Sequence, residues 1–414
     1  MRLLLLSLQQ ARETPPGGST QARRIRIEED HALALARTMR DGGSIAPLLV
    51  CLKGSRLQRM AAAINLPCMA VGGTGGGLSG LLRLWHWQRR HRYLLIQTVG
   101  EEAMTLGHRL LRMRKPGSAL LSHAFFLRAP EAARCQSREM LAARYILYGS
   151  THVRQRLQTV WENAVGGAKL PDEALLALSP GISDEGFTSA PPFAPDTGQH
   201  FIFGMSDSLV PRSGAQTVVR AMAALWQRTD MPPWEVRMLG HGPRFQEVLT
   251  EANTLGVAAR LCLLGEQNAS EVLAGCHAWL APGSAPDEAP ETLWQGFAAG
   301  LPVICSAGPL HRERLAPHAS PDWPDGPAVM VPEKDAQALA RAMIDLMQRA
   351  DVRADLARRS QDILPLITWQ HMAGEACTLF ESWLRDLEAA RTNSGDAGAR
   401  PRDDSPQTDP PDKT

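Results

Sequence analysis

Short apolar runs alternate with longer amphipathic segments along this chain, and the alternation starts afresh half-way through. Leu3 to Leu8, Ala46 to Leu52, Tyr93 to Thr98, Ala119 to Ser122 and Tyr145 to Tyr148 read as strands, with helices at Ser19 to Met39, Arg56 to Ile64 and Glu131 to Ala143. Such a pattern builds βαβ units, because parallel neighbours need a crossover and the crossover is usually a helix. The second half repeats the pattern. Strands are expected at His200 to Phe203, Glu235 to Leu239, Arg260 to Leu264, Ala278 to Ala281 and Pro302 to Ser306. Helices are expected at Ala215 to Gln227, Pro243 to Leu255, Ser270 to Cys276, Thr292 to Ala299 and Ala336 to Gln348. Between the halves, Thr188 to Gln199 is proline-rich and has no helical period, as an inter-domain linker would.

These features predict an α/β chain with a first domain over 1–187, a linker over 188–199 and a second domain over 200–369. A helix over 370–390 and a disordered tail over 391–414, rich in Pro, Asp, Gly and Ser, complete it. A length of 414 residues supports two cores, since one core rarely organises so many. The first apolar run breaks at Gln9 and meets Arg12 and Glu13, so it reads as a buried strand and not as a signal peptide. No 18 uncharged apolar residues follow one another, which excludes a membrane-spanning helix. The seven cysteines are scattered without Cys-x-x-Cys spacing, so the expectation is reduced thiols in the cytoplasm and no zinc site. Charge divides with the domains: residues 1–190 carry 25 Lys+Arg against 14 Asp+Glu, and residues 191–390 carry 15 against 24.

The segment Leu280 to Ser306 carries the clearest chemistry. It runs from a strand through the loop Pro282-Gly283-Ser284-Ala285-Pro286-Asp287-Glu288 into a helix opened by Glu291 and Thr292, then through Gly300 into the strand after Pro302. The loop therefore sits at the carboxyl edge of a parallel sheet, where open α/β folds bind ligands. The free N–H groups of the helix start suit an anion such as a diphosphate.

This segment resembles the retaining glycosyltransferases of family 4, whose architecture is GT-B. The resemblance implies two Rossmann-like, doubly wound parallel-sheet domains facing a central cleft, with a C-terminal helix crossing back. The family motif has an acidic residue, seven further residues, a Glu, and then Ala-Met-Ala-x-Gly-x-Pro-Val-Ile. Here the first acid falls on Asp287, or one residue out of register on Glu288, as the residue that contacts the donor sugar. The second falls on Gln295, which stands where the family grips the ribose and can hydrogen-bond through its amide. Phe297-Ala298-Ala299-Gly300-Leu301-Pro302-Val303-Ile304 completes the motif.

Other segments keep the family order. Glu235 to Pro243 resembles the strand-Gly-Asp-Gly-Pro turn, with Gly240, His241 in place of Asp, and Gly242 near the donor; a turn alone is the simpler role. Phe201 to Gly214 resembles the strand leading to the diphosphate cations, with Ser213 where the family has Lys, so Arg212 is the candidate cation or else a solvated loop residue. Gly17 and Gly18, between the first strand and first helix, stand where the family sets a Gly-rich loop against the donor phosphates. His123, in Leu120-Leu121-Ser122-His123, resembles the family's His near the reacting sugar, against the alternative of a structural histidine at a strand end. Pro180 to Phe187 and Thr368-Trp369 resemble the two crossings between domains.

Arg83-Leu84-Trp85-His86-Trp87-Gln88-Arg89-Arg90-His91-Arg92 joins tryptophans to a basic cluster, followed by Arg109, Arg112, Arg114 and Lys115. Anionic lipid headgroups or a phosphorylated acceptor fit it, and so does a solvated basic helix; no nucleic-acid recognition module accompanies it. The resemblance then implies a retaining, metal-independent hexosyltransferase that needs no cofactor beyond a nucleotide-diphosphate sugar as co-substrate. Its acceptor would be a glycan or glycolipid of lipopolysaccharide or surface-polysaccharide synthesis, met in the cytoplasm or peripherally at the inner membrane face. The alternatives are an inactive sugar-nucleotide-binding scaffold, which the substitutions at Gln295, Ser213 and His241 favour, and a sugar-nucleotide epimerase.

Overall fold

The computed structural model describes residues 2–8, 20–72, 77–91, 93–115, 117–126, 129, 138–164, 167, 169–183, 187, 193, 199–210, 213–265, 267–283, 291–324 and 326–393. Gly17, Gly18, Arg212, Asp287 and Glu288, most of the linker, and the tail beyond 393 lie outside them.

The first sheet has seven parallel strands in the order β3-β2-β1-β4-β5-β6-β7: β1 Arg2–Ser7, β2 Ala46–Leu52, β3 Cys68–Val71, β4 Leu95–Val99, β5 Leu120–Phe125, β6 Tyr145–Tyr148 and β7 Leu175–Ala177. Leu3 to Leu6 are fully buried because both sheet faces are covered, which explains a leucine run with no polar alternation. On one face α1 (Thr20–Gly42), α2 (Arg56–Ala63) and the C-terminal α14 (Trp369–Asn393) form the core with Leu3, Leu5, Leu49 and Leu95. On the other, α3 (Gly77–His91) and α4 (Met104–Arg112) cover Leu4, Leu6, Ile96 and Leu121. Beside them α5 (Arg138–Leu141) and α6 (Thr151–Ala164) close the β6 and β7 end.

The second sheet has six parallel strands in the order β10-β9-β8-β11-β12-β13: β8 Phe201–Ser206, β9 Trp234–Leu239, β10 Leu261–Gly265, β11 Ala278–Ala281, β12 Val303–Ser306 and β13 Val329–Val331. One face carries α7 (Ala215–Trp226), α8 (Phe245–Thr254) and α12 (Ala336–Gln348). The other carries α9 (Ala269–Leu273), α10 (Glu291–Ala298) and α13 (Ala350–Ile363), and α11 (Pro309–Leu315) follows β12. No described helix is long and apolar enough to cross a membrane.

Helix α14 returns to the first domain because its apolar stripe, Met372, Ala373, Ala376, Phe380 and Trp383, fits the α1 face of the first sheet. Trp383 stacks on Tyr145 at 4.0 Å between centroids. The two chain crossings run side by side. Ile182 N donates to Ile367 O at 2.9 Å, Trp369 N donates to Ile182 O at 3.0 Å, and a Cβ on Gly181 would meet the Thr368 backbone at 2.5 Å.

Candidate functional site

In both sheets the strand order reverses direction once, between β1 and β4 in the first and between β8 and β11 in the second. Crevices at the carboxyl ends of such strands are where open α/β sheets take ligands. The two carboxyl edges face each other. Helix α6 starts where β6 ends and α11 starts where β12 ends, and Glu313 of α11 accepts from Thr151 N of α6 at 2.6 Å and from Thr151 Oγ at 2.9 Å.

On the second domain's edge the loops are stitched together. Asp207, the first residue after β8, is buried; its Oδ1 accepts from Leu209 N at 2.7 Å and its Oδ2 from Ala215 N, the start of α7, at 3.1 Å. Burial raises its pKa above the ordinary carboxylate value even though these hydrogen bonds oppose the shift. The carboxylate thus fixes the loop of Leu209 and Ser213 and occupies the first N–H of α7, leaving that helix start less available to an outside anion. Gly240 and Gly242 pack on this loop: a Cβ would lie 1.8 Å from Asp207 O in one case and 2.1 Å from Ser208 O in the other. Gly240 also holds φ of 113°, so both steric and conformational reasons demand glycine there. Exposed His241 leans on the Phe245 ring, with centroids 5.4 Å apart.

Trp279 sets the helix after β11. Its indole N–H donates to Thr292 O at 2.6 Å, and its ring lies where Cβ atoms on Gly204 and Gly296 would come within 2.9 Å and 2.6 Å. Thr292 is consequently buried in the first turn of α10, Glu291 opens that helix, and Gln295 sits one turn on. Gln295 is half-buried, and its Oε1, shut off from solvent, has no hydrogen-bond partner among the described residues. An orphaned acceptor of this kind costs stability unless something bonds it. Below the loop, Ser306 Oγ donates to Gly283 O at 2.7 Å and His311 Nδ1 donates to Ser306 O at 2.9 Å. Burial pushes His311 down to about 4, with Arg314 adding to the shift. Among the described residues no group of three His, Cys, Asp or Glu side chains is placed to hold a metal ion.

The strand-end placement expected for His123 is corrected by the structure. Strand β5 runs on to Phe125, so His123 lies inside it and not at its end, fully buried. Thr98 Oγ and His123 Nδ1 are 2.6 Å apart, and Nε2 lies 3.2 Å from Glu139 O. The imidazole donates to the carbonyl through Nε2 and accepts the Thr98 hydroxyl at Nδ1, so both nitrogens are spent. Burial pushes its pKa down to about 4. Its ring joins β4, β5 and α5.

Known proteins share this fold. Residues 192–362 match the model of the family described as Glycosyl transferases group 1. A glycosyltransferase from Rickettsia africae superposes with a TM-score of 0.66 at 12% identity, covering 92% of this chain and 98% of its own. Anabaena Alr3699/HepE, solved in complex with UDP, superposes with a TM-score of 0.66 at 16% identity, covering 92% of this chain and 100% of its own. The fold is GT-B. The apo lipopolysaccharide outer core galactosyltransferase WaaB has the same GT-B layout, with a TM-score of 0.60 at 10% identity over 92% of this chain and 99% of that one. None of the curated proteins matches the sequence. The family match coincides with the GT-B domain whose edge carries Asp207, Gly240, Thr292 and Gln295.

Asp207, Trp279 and the Glu313–Thr151 contact were not singled out by sequence. Asp207 left one signal, an acid at the strand end eight residues before a helix start. Trp279 left none, because a tryptophan in an apolar strand reads only as core.

Proposed function

We propose that this chain is a glycosyltransferase that moves a hexose from a nucleotide-diphosphate donor to a hydroxyl of a glycan or glycolipid, with retention at the anomeric carbon. The observation that carries the reading is the juxtaposition of a family match over 192–362 with an orphaned acceptor, Gln295 Oε1, one turn into the helix at the sheet's reversal point. The diphosphate would lie at the start of α10 by Glu291 and Thr292, since the positive end of a helix favours an anion. Gln295 would accept from a ribose hydroxyl, Asp207 would hold the loop that brings Arg212 to the leaving phosphate, and Asp287 or Glu288 would contact the sugar. Gly17 and Gly18 would face them from the first domain, with Gly240, His241 and Gly242 shaping the rim. Water is excluded as the lobes close, which strengthens each of these interactions.

The reaction is proposed to need no metal, with the departing charge met by Arg212 and the helix start. The neighbours' UDP and lipopolysaccharide descriptions favour UDP-sugars as the first donors and a surface-glycan intermediate as the first acceptor to test. Such an acceptor would be reached in the cytoplasm at the inner membrane face, through peripheral contact. A second reading, an inactive sugar-nucleotide binder, is favoured by Gln295 in place of an acid. Thermal-shift screening of nucleotide sugars, followed by transfer of labelled sugar from the best of them to a glycolipid extract, tests both. Stabilisation without transfer or hydrolysis identifies the inactive binder, and no stabilisation by any nucleotide sugar refutes both.

A further inference from the structure

Helices α3 and α4 lie against each other on one face of the first sheet, with Leu84, Leu106 and Leu110 pointing inward. A surface helix anchored this way ordinarily turns polar residues outward. Helix α3 does not. Leu82, on the side away from Leu84, is 58% exposed, and it lines an open concavity with Leu81, Trp85 and Met113. Met113 caps the end of α4 and is 45% exposed.

The charge around this patch is of one sign. Residues 42–100 and 103–130 hold twelve Lys and Arg and no Asp or Glu. Arg83 and Arg90 on α3, with Arg109 and Arg112 on α4 and Lys115 beyond it, are exposed beside the apolar centre. A second copy of this chain would set like charges against each other there. A nucleic acid would meet the arginines but leave Leu82 and Met113 wet. An apolar centre beside Arg83, Arg90, Arg109, Arg112 and Lys115, with Glu101 and Glu102 as the acids nearest in sequence, matches acyl chains beneath anionic headgroups. Helix α3 begins beyond the carboxyl end of β3, on the edge that faces the second domain, and Met113 stands at the far end of the face, where Arg114 donates to Tyr93 O ahead of β4.

We propose that the α3–α4 face docks the protein on an anionic phospholipid bilayer. The docking deepens the glycosyltransferase reading, resting on it for its purpose, a membrane-held acceptor, while the physics of the surface stands apart. The test is co-sedimentation of the full chain with phosphatidylglycerol–phosphatidylcholine vesicles and with pure phosphatidylcholine vesicles. Binding is expected on the anionic vesicles alone and is lost at high salt. R109Q/R112Q should weaken it about 25-fold, at about fivefold per cation, and L82S roughly tenfold through lost apolar burial. Both variants alter exposed side chains, so their thermal unfolding should match the parent. Equal binding to neutral vesicles, no binding to either, or a dimer dissolved by L82S would overturn the proposal. UDP-induced thermal stabilisation, measured on the same variants without vesicles, should be unchanged; its absence would count against the donor reading and leave the vesicle result standing.

Discussion

Replacing Asp207 by Ala should disorganise the donor-side loop at a cost that can be worked from its bonds. The carboxylate is buried and accepts from Leu209 N at 2.7 Å and Ala215 N at 3.1 Å. Leaving a buried donor unsatisfied costs about 1–3 kcal/mol, so two such donors amount to about 2–6 kcal/mol, toward the lower end if water enters. Asp207→Asn retains one acceptor and points an amide N–H at the other donor, so its loss should be smaller than that of Ala.

The pH dependence has a definite sign. Burial raises the Asp207 pKa above 3.8, so the stability this group contributes is fully present below its unfolded pKa and is lost as pH rises through the higher folded value. Asn cannot titrate. The gap between parent and D207N should therefore be widest in acid and narrow toward neutrality. Urea unfolding followed by circular dichroism at several pH values measures it, with the second domain's transition fitted separately if the two domains melt apart. A D207A loss below about 0.5 kcal/mol, or a D207N gap that widens with pH, would refute the reasoning.

Gly240→Ala should destabilise by more than about 2 kcal/mol and abolish nucleotide binding, since φ is 113° and the new Cβ would strike Asp207 O; the control Gly256→Ala, at φ 72° with open space around it, should cost only about 1 kcal/mol. Both are read by thermal unfolding and nucleotide titration. Gln295→Ala should weaken nucleotide binding about tenfold, the worth of one hydrogen bond to a ligand hydroxyl, without lowering stability, and unchanged affinity on titration calorimetry would contradict the assignment. Buried His31, held down to about 3, and His123 and His311, held down to about 4, contribute stability present above their unfolded pKa that is lost as pH falls through those folded values. Unfolding curves should therefore weaken from about pH 6.5 downward, and His123→Phe should remove part of that dependence. Transfer activity should survive chelation by EDTA, and loss of turnover reversed by a divalent ion would end the metal-independent reading.

Much of the fold was legible because burial on both sheet faces leaves long apolar runs, and β2, β6 and α12 have the bounds their patterns imply. Tyr93 to Thr98 and Ala119 to Ser122 were misplaced by one to three residues, since strand ends depend on where neighbours stop pairing. The edge strands β3, β7 and β13 are short, and α4 and α13 have no side-chain cap to delimit their starts. The glycines at 240 and 242 were read as a turn, and the contacts that exclude a Cβ bear out their need for glycine. The place of His123 within β5 was not legible, because a histidine beside a strand end and one inside a strand look alike until the strand's length is known.

Local order along the chain, apolar periodicity, a proline-rich break and glycine at tight turns, was sufficient for two βα lobes and for the helix start at Thr292. Periodicity is a short-range property, and neighbouring residues carry it. The bonds between Asp207 and Ala215, the seat of Trp279 on Gly204 and Gly296, and the meeting of Glu313 with Thr151 join residues separated in sequence by 8 to 162 positions. Only tertiary packing brings such partners within hydrogen-bond reach, because each depends on how the sheets twist and which edges face.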